Sequence, residues 1–320
     1  MKYTPISIDE INHAKERISD DIIRTPLVRF NIDDETTEIY LKLENLQPTR
    51  AFKIRAASNA VRKYNKTQLD KGIWTISSGN WAQALAWMAG KIGTKCTIIV
   101  PEDIPAKKEE AIKQLRGEII KVPLEIGLPI LATREFEGMD GVFIHPFSDL
   151  DVMAGNATIA LEILDDLPDF DTLLIPWGGG GLACGIASAI RALRPDVKIY
   201  ATEIETCTPL ATAFQQKGVP DNIPYSQSFV DAIGYPFLLT EMYEMAEELL
   251  DGSIVVGLEE TADAIRLLSQ RNCVVVEGGG ALPVAAALSG KAGKGKIVCI
   301  ISGGYIDSGK LIKILKNEKL

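Results

Sequence analysis

Lys53 stands in an unusual setting for a charged side chain. It lies in NLQPTRAFKIRAA (45–57), pressed between Phe52 and Ile54. A surface lysine needs no apolar neighbours. An amine that must lose its proton and attack a carbonyl does, because desolvation lowers its pKa and frees the nitrogen. A second segment, IPWGGGGLACGIA (175–187), carries four glycines, Gly178, Gly179, Gly180 and Gly181, followed by Leu182. Without Cβ atoms such a run turns tightly and aims successive N–H groups at one point, and the helix after it adds the positive end of its dipole. That describes an anion site, most simply for phosphate; the plain alternative is a flexible turn. The run is not a dinucleotide fingerprint, because Ala183 or Cys184 occupies the third glycine place, and no G-K-[ST] follows as a Walker loop requires.

Three further turns place polar residues at the ends of apolar runs. SSGNWAQALA (77–86) begins with Ser77, Ser78, Gly79 and Asn80, followed by Trp81. These residues suit either a helix N-cap or a site for a carboxylate or ring oxygen. IISGGYID (300–307) carries Ser302, and VEGGGA (276–281) carries Glu277, each either a turn or cap residue or a site residue. One amine, one phosphate cradle and three polar turns suit a cofactor bearing a phosphate, an aldehyde and a ring nitrogen.

The elements that must position these residues alternate in type. EIYLKLE, GIWTIS, CTIIVP, EIIKVP, DTLLIPW and VKIYATEI read as strands, and amphipathic helical stretches separate them. NCVVVEGGGALPVAAAL and KIVCIISGGYIDSGKLIKIL repeat a scheme of strand, glycine turn and helix. Such alternation predicts an α/β fold of parallel sheets with helices on both faces. Ligands bind such sheets at the carboxyl ends of the strands, where the glycine turns fall.

Bulk properties exclude other classes. The chain has 320 residues, enough for two domains, and its net charge of −9 provides no basic stripe for nucleic acid. Five scattered cysteines form no C-x-x-C and fit a reducing cytoplasm, and two histidines leave little for a metal site or a Ser-His-Asp triad. No apolar run approaches the ~18 residues that span a bilayer. No membrane or nucleic-acid partner is expected.

The ordered set LKLENLQPTRAFKIRAA, SSGNWAQALA, HPFSDLDVMAGNATIALEIL, IPWGGGGLACGIA, VEGGGALPVAAAL and ISGGYID resembles the fold-type II pyridoxal-phosphate enzymes. The likeness is to the threonine/serine dehydratase (ammonia-lyase) and serine racemase group, and it covers nearly the whole chain. It implies two interleaved open parallel-sheet domains of the tryptophan synthase β type. Residues 1–65 and 148–320 would form a large cofactor-binding domain, and 66–147 a small mobile one. It implies pyridoxal 5'-phosphate as cofactor, with Lys53 as the Schiff-base lysine and Phe52 against the ring. Asn80 would bond the ring oxygen, Gly178–Gly181 and Leu182 the phosphate, and Ser302 the ring nitrogen, with Glu277 also in the cofactor site. The turn Ser77, Ser78, Gly79, Asn80 and Trp81 would hold the substrate carboxylate. The implied reaction is β-elimination from L-threonine, L-serine or a related β-hydroxy amino acid, giving a 2-oxo acid and ammonia, in a cytoplasmic homodimer.

The departures from the pattern concern the substrate more than the cofactor. Arg50-Ala51 stands where the family has Gly-Ser, Trp81 replaces a histidine, and Tyr305 an asparagine. From these, Trp81 is expected to tighten the carboxylate turn, Tyr305 to crowd the ring edge, and Arg50 to sit beside the lysine. Pro209 occupies the place of an acidic ligand six residues after Glu203, so no metal is expected there. With the chain ending at Leu320, a regulatory domain is not expected. Ser78 matches the opposite-face base of serine racemases, which keeps racemisation as the rival reaction. A non-catalytic binding protein with the same fold is the remaining alternative.

Overall fold

A computed structural model describes residues 3–32 and 36–319; the terminal positions and residues 33–35 of the expected large domain lie outside the described residues. Among the described residues the apolar runs form ten strands in two sheets. β1 (Leu27–Arg29), β2 (Thr37–Lys42), β7 (Thr172–Pro176), β8 (Lys198–Ile204), β9 (Gly252–Val256) and β10 (Gly295–Ile300) form one, in the order β1-β2-β10-β7-β8-β9. β3 (Ile73–Ile76), β4 (Cys96–Pro101), β5 (Glu118–Val122) and β6 (Val142–Phe143) form the other, in the order β5-β4-β3-β6. Every pairing is parallel except β1 with β2, so an antiparallel edge strand is added to the expected scheme. The small sheet is made wholly from chain between β2 and β7, which interleaves the two.

Burial follows from helices covering both faces of each sheet. In β7 all five residues are buried; Leu173 and Ile175 face one core cluster and Leu174 the other. β10 divides likewise, with Val298 and Ile300 on the first side and Ile297 and Cys299 on the second. In the small sheet Ile98 and Val100 of β4 face one cluster and Ile99 the other. Parallel pairing puts the carboxyl ends of the strands other than β1, and the turns after them, along one edge of each sheet.

One expected strand is absent among the described residues. Residues 274–276 form neither strand nor helix and belong to neither sheet. Both edges of β10, the sheet strand that follows them, are already taken by β2 and β7. The segment is tied down by single bonds instead: the Asn45 side-chain amide donates to Val275 O at 3.0 Å, and Glu277 N donates to Gly303 O at 3.1 Å.

Candidate active site

Lys53 is the first residue of the helix Lys53–Arg62. Phe52 N donates to Ser302 O at 3.0 Å, which pins the start of that helix to the turn after β10. The Lys53 Nζ donates to Pro146 O at 2.9 Å and lies 5.1 Å from the Phe52 ring centre and 5.5 Å from that of Trp81. No carboxylate pairs with it among the described residues. Desolvation lowers its pKa from 10.5 to about 8. A free amine is thus populated near neutrality, as a nucleophile or a proton acceptor requires.

The carbonyl facing Lys53 is set by a buried histidine. His145 Nδ1 accepts from Phe147 N (3.2 Å) and Ser148 N (2.7 Å), and its Nε2 bonds Leu131 O at 3.0 Å. Since Nδ1 accepts, the proton sits on Nε2 and the ring is neutral. Burial drives its pKa down to about 3. This ring fixes the turn that brings Pro146 O to the lysine and Phe147 to the glycine loop.

The four glycines lead from β7 into the helix Gly181–Leu193. A Cβ on Gly179 would run into the Phe147 ring, and one on Gly180, whose φ is +92°, would lie 2.6 Å from the Trp177 ring. Side chains are therefore sterically excluded here. Gly180 is the N-cap and no side chain caps the helix. The first-turn N–H groups, which have no intrahelical partner, are left for an anion. A phosphate fits this cradle.

The turn after β3 has the same construction. The helix Asn80–Ile92 starts at Gly79 without a side-chain cap, so Ser77 and Ser78 do not serve as N-caps. Ser77 Oγ instead accepts from Gly79 N at 3.2 Å. Asn80 Nδ2 donates to Glu277 Oε1 at 2.8 Å, joining this turn to the one before the helix Gly278–Leu288. Burial pushes the Glu277 carboxyl up to about 7, against the opposing effect of the Asn80 bond. Trp81 is buried, and its Nε1 donates to Thr75 Oγ1 at 2.8 Å, so the indole beneath Lys53 is fixed in place. Ser302 lies two residues beyond β10, with its side chain on the cavity wall.

Every residue singled out for the site from sequence lines one cavity: Phe52 and Lys53, Ser77 to Trp81, Gly178 to Leu182, Glu277 and Ser302. Two neighbours do not. Tyr305 faces a separate cleft, where its hydroxyl donates to Lys107 O at 3.3 Å, and so does not crowd the ring edge. Arg50 lines that same cleft, its guanidinium 5.7 Å from the Tyr305 ring centre. The physical reason is its backbone, which has φ +59° and turns the side chain away from Lys53. The Glu203 carboxylate is spent within the fold, accepting from Leu210 N (2.9 Å), Ala211 N (2.7 Å) and Ser253 Oγ (2.5 Å). The sequence reading missed Pro146, Phe147, Tyr235 and Phe237 on the wall. The aromatic pair in AIGYPFLL (232–239) was the one signal available for the last two.

Comparison with known proteins agrees with this geometry. The profile of the family described as pyridoxal-phosphate dependent enzyme matches residues 18–303. The catabolic L-threonine dehydratase TdcB of Staphylococcus aureus (strain N315) is 36% identical over 98% of this chain and 92% of its own length. Among solved structures, maize serine racemase superposes with a TM-score of 0.87 at 31% identity, covering 98% of each chain. The threonine deaminase from T.th. does so with 0.85 at 30% identity, covering 94% of this chain and 99% of its own. A bare glycine cradle, a lysine with no carboxylate partner among the described residues, and a profile match across most of the sequence converge: the chain belongs to the family of pyridoxal-phosphate dependent enzymes.

Proposed function

We propose that the protein is an ammonia-lyase that deaminates a β-hydroxy amino acid of the L-threonine or L-serine type to a 2-oxo acid and ammonia. The observation that carries this reading is Lys53: an amine with a lowered pKa and no carboxylate, in the cavity that holds the glycine cradle. Bound pyridoxal phosphate supplies an aldehyde and an electron-withdrawing ring that takes up the electron pair left at Cα. Gly178–Gly181 and Leu182 would hold its phosphate, Phe52 would stand against its ring, and Ser302 and Asn80 would meet its nitrogen and oxygen. Ser302 would offer the ring a neutral hydroxyl rather than a carboxylate. Glu277 fixes the Asn80 amide. The uncapped turn Ser77–Trp81 receives the substrate carboxylate, and the free Lys53 amine accepts the Cα proton.

Residues 66–147, which hold the small sheet, act as the mobile domain that closes on substrate, against residues 1–65 and 148–320. The enzyme works in the cytoplasm as a homodimer. Five free cysteines among the described residues support the compartment, and the dimer rests on the family resemblance alone. A second reading, racemisation, is favoured by one observation: Ser78 lies on the cavity wall with its hydroxyl bonded to none of the described residues, as a base on the opposite face requires.

The test is 2-oxo acid release from L- and D-serine and threonine with added cofactor, alongside Lys53→Ala. The expected result is turnover of an L-substrate that falls by at least ~10²–10⁴-fold in the variant. Inversion without oxo acid would transfer the assignment to a racemase, and equal activity in the variant would remove Lys53 from the chemistry.

A further inference from the structure

The cavity wall contains a second set of residues to which the cofactor-directed groups assign nothing. Leu124 and Leu128 line it and are 56% and 41% exposed, and Tyr235 lines it at 45%. Large apolar side chains left uncovered on a concave wall suit an apolar ligand group, over which closure of residues 66–147 would complete the cover. The aromatic members form a run: Phe147 stacks on Phe237 with ring centres 5.8 Å apart, and Phe237 lies 6.1 Å from Tyr235. The only charged side chains on the wall, among the described residues, are Lys53 and Glu277, both already engaged. A charged substrate side chain would find no counter-ion and would lose its hydration uncompensated.

We propose that the substrate is a β-hydroxy amino acid whose β-carbon carries a bulky apolar group, an aryl ring or a branched alkyl chain. Leu124, Leu128, Tyr235 and Phe237 hold that group. This rests on the ammonia-lyase reading and specifies its substrate class. The atoms balance as in that reaction. The Cα–H and Cβ–O bonds break, the proton and hydroxide leave as water, and hydrolysis of the remaining enamine gives ammonia and a 2-oxo acid with an intact apolar group. A threonine methyl covers little of this surface, and each added methylene in an apolar pocket is worth roughly 10–200-fold in discrimination.

The experiment uses the full chain with added cofactor and five substrates: L-serine, L-threonine, threo-β-phenylserine, β-hydroxyleucine and β-hydroxyaspartate. Two readouts are taken, kcat/KM for 2-oxo acid release by wild type and Kd by calorimetry with Lys53→Ala. The expected result is a kcat/KM for phenylserine or hydroxyleucine at least tenfold above that for L-threonine, with Kd lower to match. The double variant L124S/L128S changes two exposed side chains and should lower kcat/KM for the bulky substrates at least fivefold more than for L-threonine. Turnover of serine and threonine with neither turnover nor tight binding of the bulky pair overturns the inference and leaves the lyase reading standing. Tight binding of the bulky pair without oxo acid upholds the substrate class and removes the lyase reading. Preference for hydroxyaspartate, or no binding of any member, overturns the inference.

Discussion

Lys53 and Arg55 stand two residues apart on one helix, and their surroundings are opposite. Arg55 is fully buried, with Nε 2.8 Å from Glu44 and Nη1 2.7 Å from Glu162. Lys42 joins Glu162 at 2.6 Å, so two acids and two bases close a buried network. Burial works against the Arg55 charge, but Glu44 and Glu162 outweigh it and hold the guanidinium protonated. Lys53 faces a carbonyl and two aromatic rings, and with nothing to oppose desolvation its charge becomes easy to lose. Burial alone does not make a cation reactive; burial without a counter-ion does. One helix thus carries a paired cation and an unpaired one.

The comparison breaks most visibly at Arg55. Arg55→Ala leaves Glu44 and Glu162 buried with Lys42 as their one base, and should cost about 3–5 kcal/mol of stability. The check is the urea midpoint at an unchanged m-value; a loss below about 1 kcal/mol would end the structural assignment.

The opposite sign is expected at Lys53. Its folded pKa, about 8, lies below its ordinary 10.5, so the penalty for the charge is fully felt below pH 8 and vanishes above 10.5. In cofactor-free protein Lys53→Met should therefore stabilise by about 1–3 kcal/mol at pH 7, after discounting for partial exposure. The gain should shrink as pH rises from 8 to 10.5. Unfolding curves at pH 7 and pH 10 decide it, and an equal gain at both would count against an unpaired charge.

Glu277 is the acidic counterpart and sharpens the comparison with a smaller effect. Its folded pKa, about 7, lies above its ordinary 4.5. Its contribution is fully present below pH 4.5 and lost as pH rises through 7. Glu277→Gln keeps an acceptor for Asn80 and should be neutral near pH 5 and stabilising by about 1–2 kcal/mol at pH 8. Thermal unfolding at the two pH values measures it, and stabilisation at pH 5 would contradict the assignment.

The difference between the two cations was half legible in the sequence. Lys53 stands out there because Phe52 and Ile54 flank it, whereas Arg55 looks like an ordinary helix charge; its partners lie 11 and 107 residues away. The glycine cradle and the polar turns were readable because strand, turn and helix follow in sequence. Edge strands β1, β6 and β9, of 3, 2 and 5 residues, are too short to show a pattern of their own and were not. Val274–Val276 has the composition of a strand but no free edge beside β10 to join. Arg50 has a left-handed backbone that its residue type does not announce, and Tyr305 meets Lys107 across 198 residues. The aromatic wall depends on Phe147 meeting Phe237 across 90 residues. Local chemistry was readable; convergence over long separations was not.

The strand order also bears on how the chain is made. β10 lies between β2 and β7, yet it is synthesised last of the three. All four strands of the small sheet have emerged by residue 143, so that sheet can pair while the chain is still growing. The large sheet must wait for residues 295–300, leaving β2 and β7 each with an open edge. At ribosomal speeds of about 5–20 residues per second, the delay after β2 lasts roughly 13–50 seconds. Until β10 occupies them, those edges are templates for pairing with another nascent chain.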